Sequence, residues 1–262
     1  MDREIFEPEH DDFRESVRRF IADEIAPDFE KWEEEGKVPR ELFAKAAEKN
    51  MLAMNAPEEY GGLGIEDFRF NQVIVEEGSY AGVIGSVLGI TLHNDICLPY
   101  FLEYCNEEQR ERWLPGIVDG SLITALGMTE PGIGSDLASM STKAIKDGDH
   151  YVVDGSKTFI TNGVNADLVI TAVKTDPKER HKGMSLMILE RGMEGFERGR
   201  NLDKMGMHAA DTSELSFDDV RVPTSNLLGP EEGKGFIQLM SELPQERLGI
   251  ALNALATAQY AY

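Results

Sequence analysis

The chain has 262 residues, enough for about two domains and a sizeable core. Apolar residues make up 41% and charged residues 28%, ordinary globular usage that excludes a disordered or fibrous chain. Against 26 lysines and arginines stand 48 aspartates and glutamates, a net charge of −22 that repels phosphate backbones and anionic lipid. Nucleic acid is therefore excluded as the main partner, and no apolar run approaches the ~18 residues of a membrane span.

The start, Met1-Asp2-Arg3-Glu4-Ile5, has neither the basic opening nor the apolar core of a signal peptide and is too acidic for a mitochondrial presequence, so the expected location is the cytoplasm. Residues 9–113 read as helical. Phe13, Val17, Phe20, Ile21 and Ile25 recur at helical spacing, with Arg18 and Arg19 on the other face. Pro39 opens a helix with Leu42, Phe43, Ala46 and Ala47 inward, and Glu58–Gly64 reads as a turn. A further helix is expected from about Asp67 to Ser79, then a buried stretch through Leu92, Ile96 and Leu98. The helix containing Trp113 is expected to stop at Pro115. Cys97 and Cys105 fit neither a disulfide framework nor a zinc site and read as buried free thiols.

From about Leu122 the period shortens. Asp147-Gly148 and Asp154-Gly155 read as turns between short runs rich in Val, Ile, Tyr and Thr. Further strands are expected at Leu168–Val173, Ser185–Leu189, Glu214–Phe217 and Val220–Val222. The middle block is thus an antiparallel β-barrel or sandwich. Helical patterning resumes at Gly235, where Pro244 breaks a helix or starts one, and Leu248, Ala251, Leu252 and Leu255 share a face. The last residues, Tyr260-Ala261-Tyr262, carry no capping signal, so the chain is expected to be part of a longer protein. The predicted fold class is α+β: helices over 1–121, a β domain over 122–231, and the start of a helical bundle over 232–262.

Three segments could carry chemistry. Thr129-Glu130-Pro131-Gly132-Ile133-Gly134-Ser135-Asp136 has glycines that let backbone N–H groups approach an anion, but Leu137 stands where a dinucleotide fingerprint needs its third glycine, and Ser139–Ile145 reads as a strand. Phe159-Ile160-Thr161-Asn162-Gly163 reads as a strand closing in an Asn-Gly turn. Glu246 lies in the first turn after Pro244, where a helix favours an acid. His10, His93, His150, His181 and His208 show no metal-ligand spacing, so no metal is expected.

Taken in order, Met128–Asp136, Gly155-Ser156-Lys157-Thr158-Phe159-Ile160-Thr161-Asn162-Gly163, Lys204-Met205-Gly206 with Asp211-Thr212, Asp218-Asp219-Val220-Arg221-Val222-Pro223 and Gly233-Lys234-Gly235-Phe236 resemble the acyl-CoA dehydrogenase family over the whole length. Leu243-Pro244-Gln245-Glu246-Arg247-Leu248 is similar to the long-chain and isovaleryl-CoA branch. The resemblance implies a flavoprotein with a helical domain, a β domain and a carboxy-terminal bundle. It implies FAD as cofactor, an acyl-CoA substrate oxidised to a trans-2-enoyl-CoA, an electron-transfer flavoprotein as acceptor, and a homotetramer. By the same resemblance Glu246 is the catalytic base. Leu126, Met128, Thr129, Gly134, Ser135, Phe159, Ile160 and Thr161 line FAD, and Ser135, Gln245 and Arg247 contact the substrate with His181 and Lys182 beside them. An acyl-CoA oxidase and a diverged non-catalytic relative are the alternative expectations. An inactive isolated fragment is expected, because the bundle completes the site in that family.

Overall fold

The computed structural model describes residues 4–262, so most of the acidic start, Met1 to Arg3, lies outside it. The first half is helical: α1 (Pro8–Phe20), α2 (Phe29–Glu35), α3 (Glu41–Glu48), α4 (Arg69–Tyr80), α5 (Ile84–Thr91), α6 (Leu98–Tyr104) and α7 (Glu107–Val118). Two wide π-turns interrupt it, at Ile21–Ile25 and at Leu92–Cys97. The expected apolar face of α1 is buried through Val17 and Phe20 and continues into Ile21 and Ile25, packed with Trp32, Leu42 and Phe43. Arg14, itself buried, crosses from α1 to Glu76 (3.0 Å) and Glu77 (2.5 Å) on α4. Both cysteines are buried free thiols, as the composition predicts.

Two expectations about proline are corrected. The helix containing Trp113 runs on through Pro115 to Val118, and α8 (Gly235–Ala261) runs unbroken through Pro244. Both prolines lie on exposed faces, so a carbonyl deprived of its N–H partner can turn to water. The packing of Trp113, Leu114 and Ile117, and of Leu239 on α8, outweighs the ~3 kcal/mol an interior proline costs. On α8, Leu248, Ala251 and Leu255 do share a face, but an exposed one; the buried residues are Gly235, Gln238, Leu239, Glu246 and Ala256.

The second half is a seven-stranded sheet: β1 (Thr124–Gly127), β2 (Lys143–Asp147), β3 (His150–Thr161), β4 (Leu168–Lys174), β5 (Met184–Glu190), β6 (Phe196–Asn201) and β7 (Thr212–Pro223). It is mixed rather than purely antiparallel. β1 pairs β4 in parallel, and so does β2 through Lys143 opposite Lys174, while β5 takes the other edge of β4 antiparallel. Asp147-Gly148 is a hairpin turn, as expected. Asp154-Gly155 is instead a bulge inside β3, where the register to β7 slips and Gly155 adopts φ +147°. Glu214–Phe217 and Val220–Val222 are one strand, and β6 was not anticipated, because Phe-Glu-Arg-Gly-Arg-Asn shows no apolar alternation.

β4 is buried on both faces. Leu168, Ile170 and Ala172 pack with Tyr100, Phe101 and Trp113 of the helical half, while Val169 and Val173 fill the interior of the curled sheet with Val153, Leu215 and Val220. This shared strand sets the helices and the sheet in fixed relation. α8 closes the arrangement by lying along α4, where Tyr80 Oη donates to Gln259 Oε1 at 2.8 Å.

Candidate active site

Between β1 and β2 the chain makes an excursion over residues 128–142 and returns to the edge of β4 that β1 pairs with, since Lys174 N on β4 donates to Thr142 O at 2.8 Å. Its neck is tied by a buried ion pair. Lys157 Nζ donates to Glu130 Oε1 (2.9 Å) and to Met128 O (3.1 Å). Glu130 Oε2 accepts from Ser141 N and Ser141 Oγ, both at 2.7 Å, and Oε1 accepts from Thr142 N at 2.9 Å. Burial pushes the Glu130 carboxyl up, but Lys157 and these hydrogen bonds outweigh it and hold it at about 2. Burial pulls Lys157 down to about 8 against the opposing pull of Glu130.

Beyond this neck, Pro131, Gly132 and Gly134 to Asp136 stand exposed while Ile133 packs back against the core, and a Cβ added at Gly132 or Gly134 would meet nothing within 4 Å. Thr129 O accepts from Thr158 N at 2.9 Å, which brings this turn beside the end of β3. There a second bulge puts Phe159 at φ +60° and turns its ring outward, 67% exposed. Ile160 points the other way, into the sheet interior. Leu126 is buried on β1, and Met128 and Thr129 are half-buried just past its end.

Thr161 opens onto a cavity of about 140 Å³ between α4, α5, the second π-turn and α8. Glu246 lies on its α8 wall, 8% exposed, and accepts a hydrogen bond from Tyr100 Oη at 2.8 Å. Burial raises the Glu246 carboxyl above its ordinary range, and the Tyr100 hydrogen bond works against that rise. A second carboxyl, Asp95, lines the same cavity at 4% exposure, and burial pushes it up to about 7. Glu246 and Thr161 therefore line the same cavity.

The other expected substrate contacts are spread more widely. Gln245 turns its amide to Asp95 O (3.0 Å), so it ties α8 to the π-turn. Arg247 is exposed on the next position of α8. His181 and Lys182 are exposed on the turn between β4 and β5, with the His181 ring 5.5 Å from that of Phe236. This turn lies beside the excursion, where Arg180 Nη2 is 3.4 Å from Asp136 Oδ1 on the residue after Ser135.

Sequence reasoning missed Tyr100, Asp95, and the pairing of Lys157 with Glu130. The pair had a signal, since Lys157 occupies an inward position of a strand and a buried lysine requires an acid. Tyr100 had none, because its role rests on a contact across 146 positions of chain.

Comparison with known proteins finds similarity over nearly the whole chain. The family models for the amino-terminal and middle domains of acyl-CoA dehydrogenase match residues 7–121 and 125–220. Long-chain specific acyl-CoA dehydrogenase from Rattus norvegicus is 47% identical over 99% of this chain and 60% of its own. The chain thus spans about 60% of the length of the curated relatives it matches. An acyl-CoA dehydrogenase structure from Geobacillus kaustophilus superposes with a TM-score of 0.95 at 50% identity, covering 99% of this chain and 68% of that one. Another from Bacillus anthracis, complexed with FAD, gives 0.88 at 33% identity over 98% of this chain and 43% of that one. The chain belongs to the acyl-CoA dehydrogenase family.

Proposed function

We propose that the protein is an FAD-dependent dehydrogenase that converts a fatty acyl-CoA thioester to its trans-2-enoyl-CoA, within the long-chain and isovaleryl-CoA branch. The observation that carries this reading is the buried Glu246 carboxyl on the wall of a mostly apolar cavity that also reaches Thr161.

The residues fit FAD. A flavin ring needs an apolar face and polar atoms along its edge. The outward Phe159 ring, the Thr161 hydroxyl and the Met128–Thr129 backbone offer these side by side. The open space around Gly132 and Gly134 leaves room for a ligand to approach their backbone, with the Ser135 hydroxyl beside it. When bound, FAD supplies the acceptor for the β-hydride.

Glu246 removes the α-proton. A proton next to a thioester is weakly acidic, and a carboxylate raised by burial is a better base for it at neutral pH. Tyr100 engages Oε1 and fixes the carboxyl's orientation, while among the described residues Oε2 has no hydrogen-bond partner. The apolar walls formed by Val75, Leu88 and Ile250 exclude water from the base and hold the acyl chain. Lys182 and Arg180 offer positive charge for the CoA phosphates on a protein of net charge −22, with the His181 ring beside them. An electron-transfer flavoprotein as acceptor and a homotetrameric assembly complete the proposal.

The test is Glu246→Gln in the FAD-loaded full chain. Acyl-CoA added without air should bleach the wild-type flavin. The variant should keep its yellow colour and lose ~10²-fold or more in the rate of bleaching. Full activity in the variant would place the base elsewhere.

A further inference from the structure

The second π-turn folds three consecutive polar side chains inward: His93, Asn94 and Asp95, respectively 0%, 2% and 4% exposed. Wide turns of this kind concentrate at functional sites, where the extra residue re-aims neighbouring side chains. Two of the three are fully engaged in holding the fold. His93 Nε2 bonds Ile117 O (3.0 Å) and its Nδ1 meets Thr124 Oγ1 (2.9 Å). Asn94 accepts from Ala53 N and donates to Met51 O, each at 2.8 Å.

Asp95 differs. Its Oδ1 accepts from Asn71 Nδ2, and among the described residues Oδ2 has no hydrogen-bond partner. Oδ2 faces α8, 4.0 Å from where a Cβ on Gly249 would stand, and Gly249 lies one turn beyond Glu246 on the same cavity wall. The absence of a side chain at Gly249 keeps that oxygen open to the cavity. Among the described residues no cation lines the cavity: α8 contributes Glu246 and Asn253 beside Asp95, α5 contributes Thr91, and β3 contributes Thr161. The remaining lining is mainly aliphatic.

We infer that Asp95 is a specificity-determining residue of the acyl pocket, selecting acyl chains that carry a hydroxyl group over plain alkyl chains. This rests on the dehydrogenase reading of the site. A plain alkyl chain filling the cavity strips water from Oδ2 and returns nothing, leaving a buried polar atom unpaired. A hydroxyl can both donate and accept, so it satisfies the Asp95 carboxyl in either protonation state, which suits a group that burial poises near neutral pH. A carboxylate-ended chain would add a third acid beside Asp95 and Glu246 and is rejected. Sites built to bond a substrate hydroxyl discriminate strongly against analogues lacking it.

The experiment compares hexanoyl-CoA with its hydroxylated forms, the hydroxyl placed in turn at each carbon beyond the β-carbon, on the FAD-loaded full chain. Two quantities are read: kcat/KM, and the affinity of the matching non-reacting thioethers by calorimetry. In the wild type at least one hydroxylated form should be favoured roughly tenfold or more in both. Asp95→Leu should reverse that preference, improving hexanoyl-CoA and weakening the hydroxylated form, and Asp95→Asn should largely keep it. Equal affinities in the wild type, or an unchanged ratio in Asp95→Leu, would overturn the inference. Failure of every chain to reduce the flavin would sink the dehydrogenase reading instead, and the thioether affinities would still decide the role of Asp95.

Discussion

Tyr100 Oη donates to Glu246 Oε1 at 2.8 Å, joining two buried residues 146 positions apart and locking α6 to α8 at the cavity wall. The bond favours the ionised carboxyl, while burial favours the neutral one. Tyr100→Phe removes the favourable part alone. The acidic limb of the pH–rate profile should then move to higher pH, because the hydrogen bond that stabilised the ionised form is gone. A limb that stays in place would show that Tyr100 does not tune the base.

The ion pair at the neck of the excursion makes a second expectation. Lys157→Met removes the cation and leaves the Glu130 carboxylate buried without its partner, a loss of about 3–5 kcal/mol for a buried pair. Urea unfolding should show that loss. Titration with FAD should show weaker binding, because the Met128 carbonyl is held by the same lysine. Lys157→Met combined with Glu130→Gln should recover part of the stability.

Gly155 sits where a side chain has no room. An added Cβ would lie 2.5 Å from Thr142 Oγ1 and 2.7 Å from Thr142 Cα, at a φ of +147° that L side chains rarely adopt. Gly155→Ala should cost about 1–3 kcal/mol in thermal or urea unfolding. Gly148→Ala, with φ +66° but nothing within 4 Å, should cost less.

Acid should weaken the fold through His93. Burial holds its imidazole neutral, down to about 4 from an ordinary 6.5. Its contribution is fully present above the ordinary value and is lost as pH falls from 6.5 toward 4, because the unfolded chain takes up the proton that the folded one refuses. The urea midpoint should fall across that window, and His93→Gln should flatten the slope there.

Much of the architecture was legible because it is written locally. The apolar period of α1 and the Asp147-Gly148 hairpin each need only a few neighbouring residues. Asp154-Gly155 misled because a bulge exploits the same left-handed glycine as a turn. The parallel pairing of Thr124 with Leu168 is invisible locally, since it joins segments far apart in the chain. Pro115 and Pro244 misled because local cost was weighed without the packing that outweighs it. In the site, the resemblance led to Glu246 and Thr161. Asp95 was hidden inside a run expected only to be buried, and a π-turn rather than a regular helix is what aims it.

The excursion over residues 128–142 leaves β1 and rejoins the same edge of β4 through β2. Strand pairing is therefore complete before the chain departs and resumes after it returns. Beyond the neck that Lys157 ties to β3, the segment behaves as a detour whose length the strand pairing does not fix. Insertions or reshaping between Pro131 and Ser139 can alter what is grasped there without shifting a single strand partner, so this is where the fold can change its ligand most cheaply in evolution.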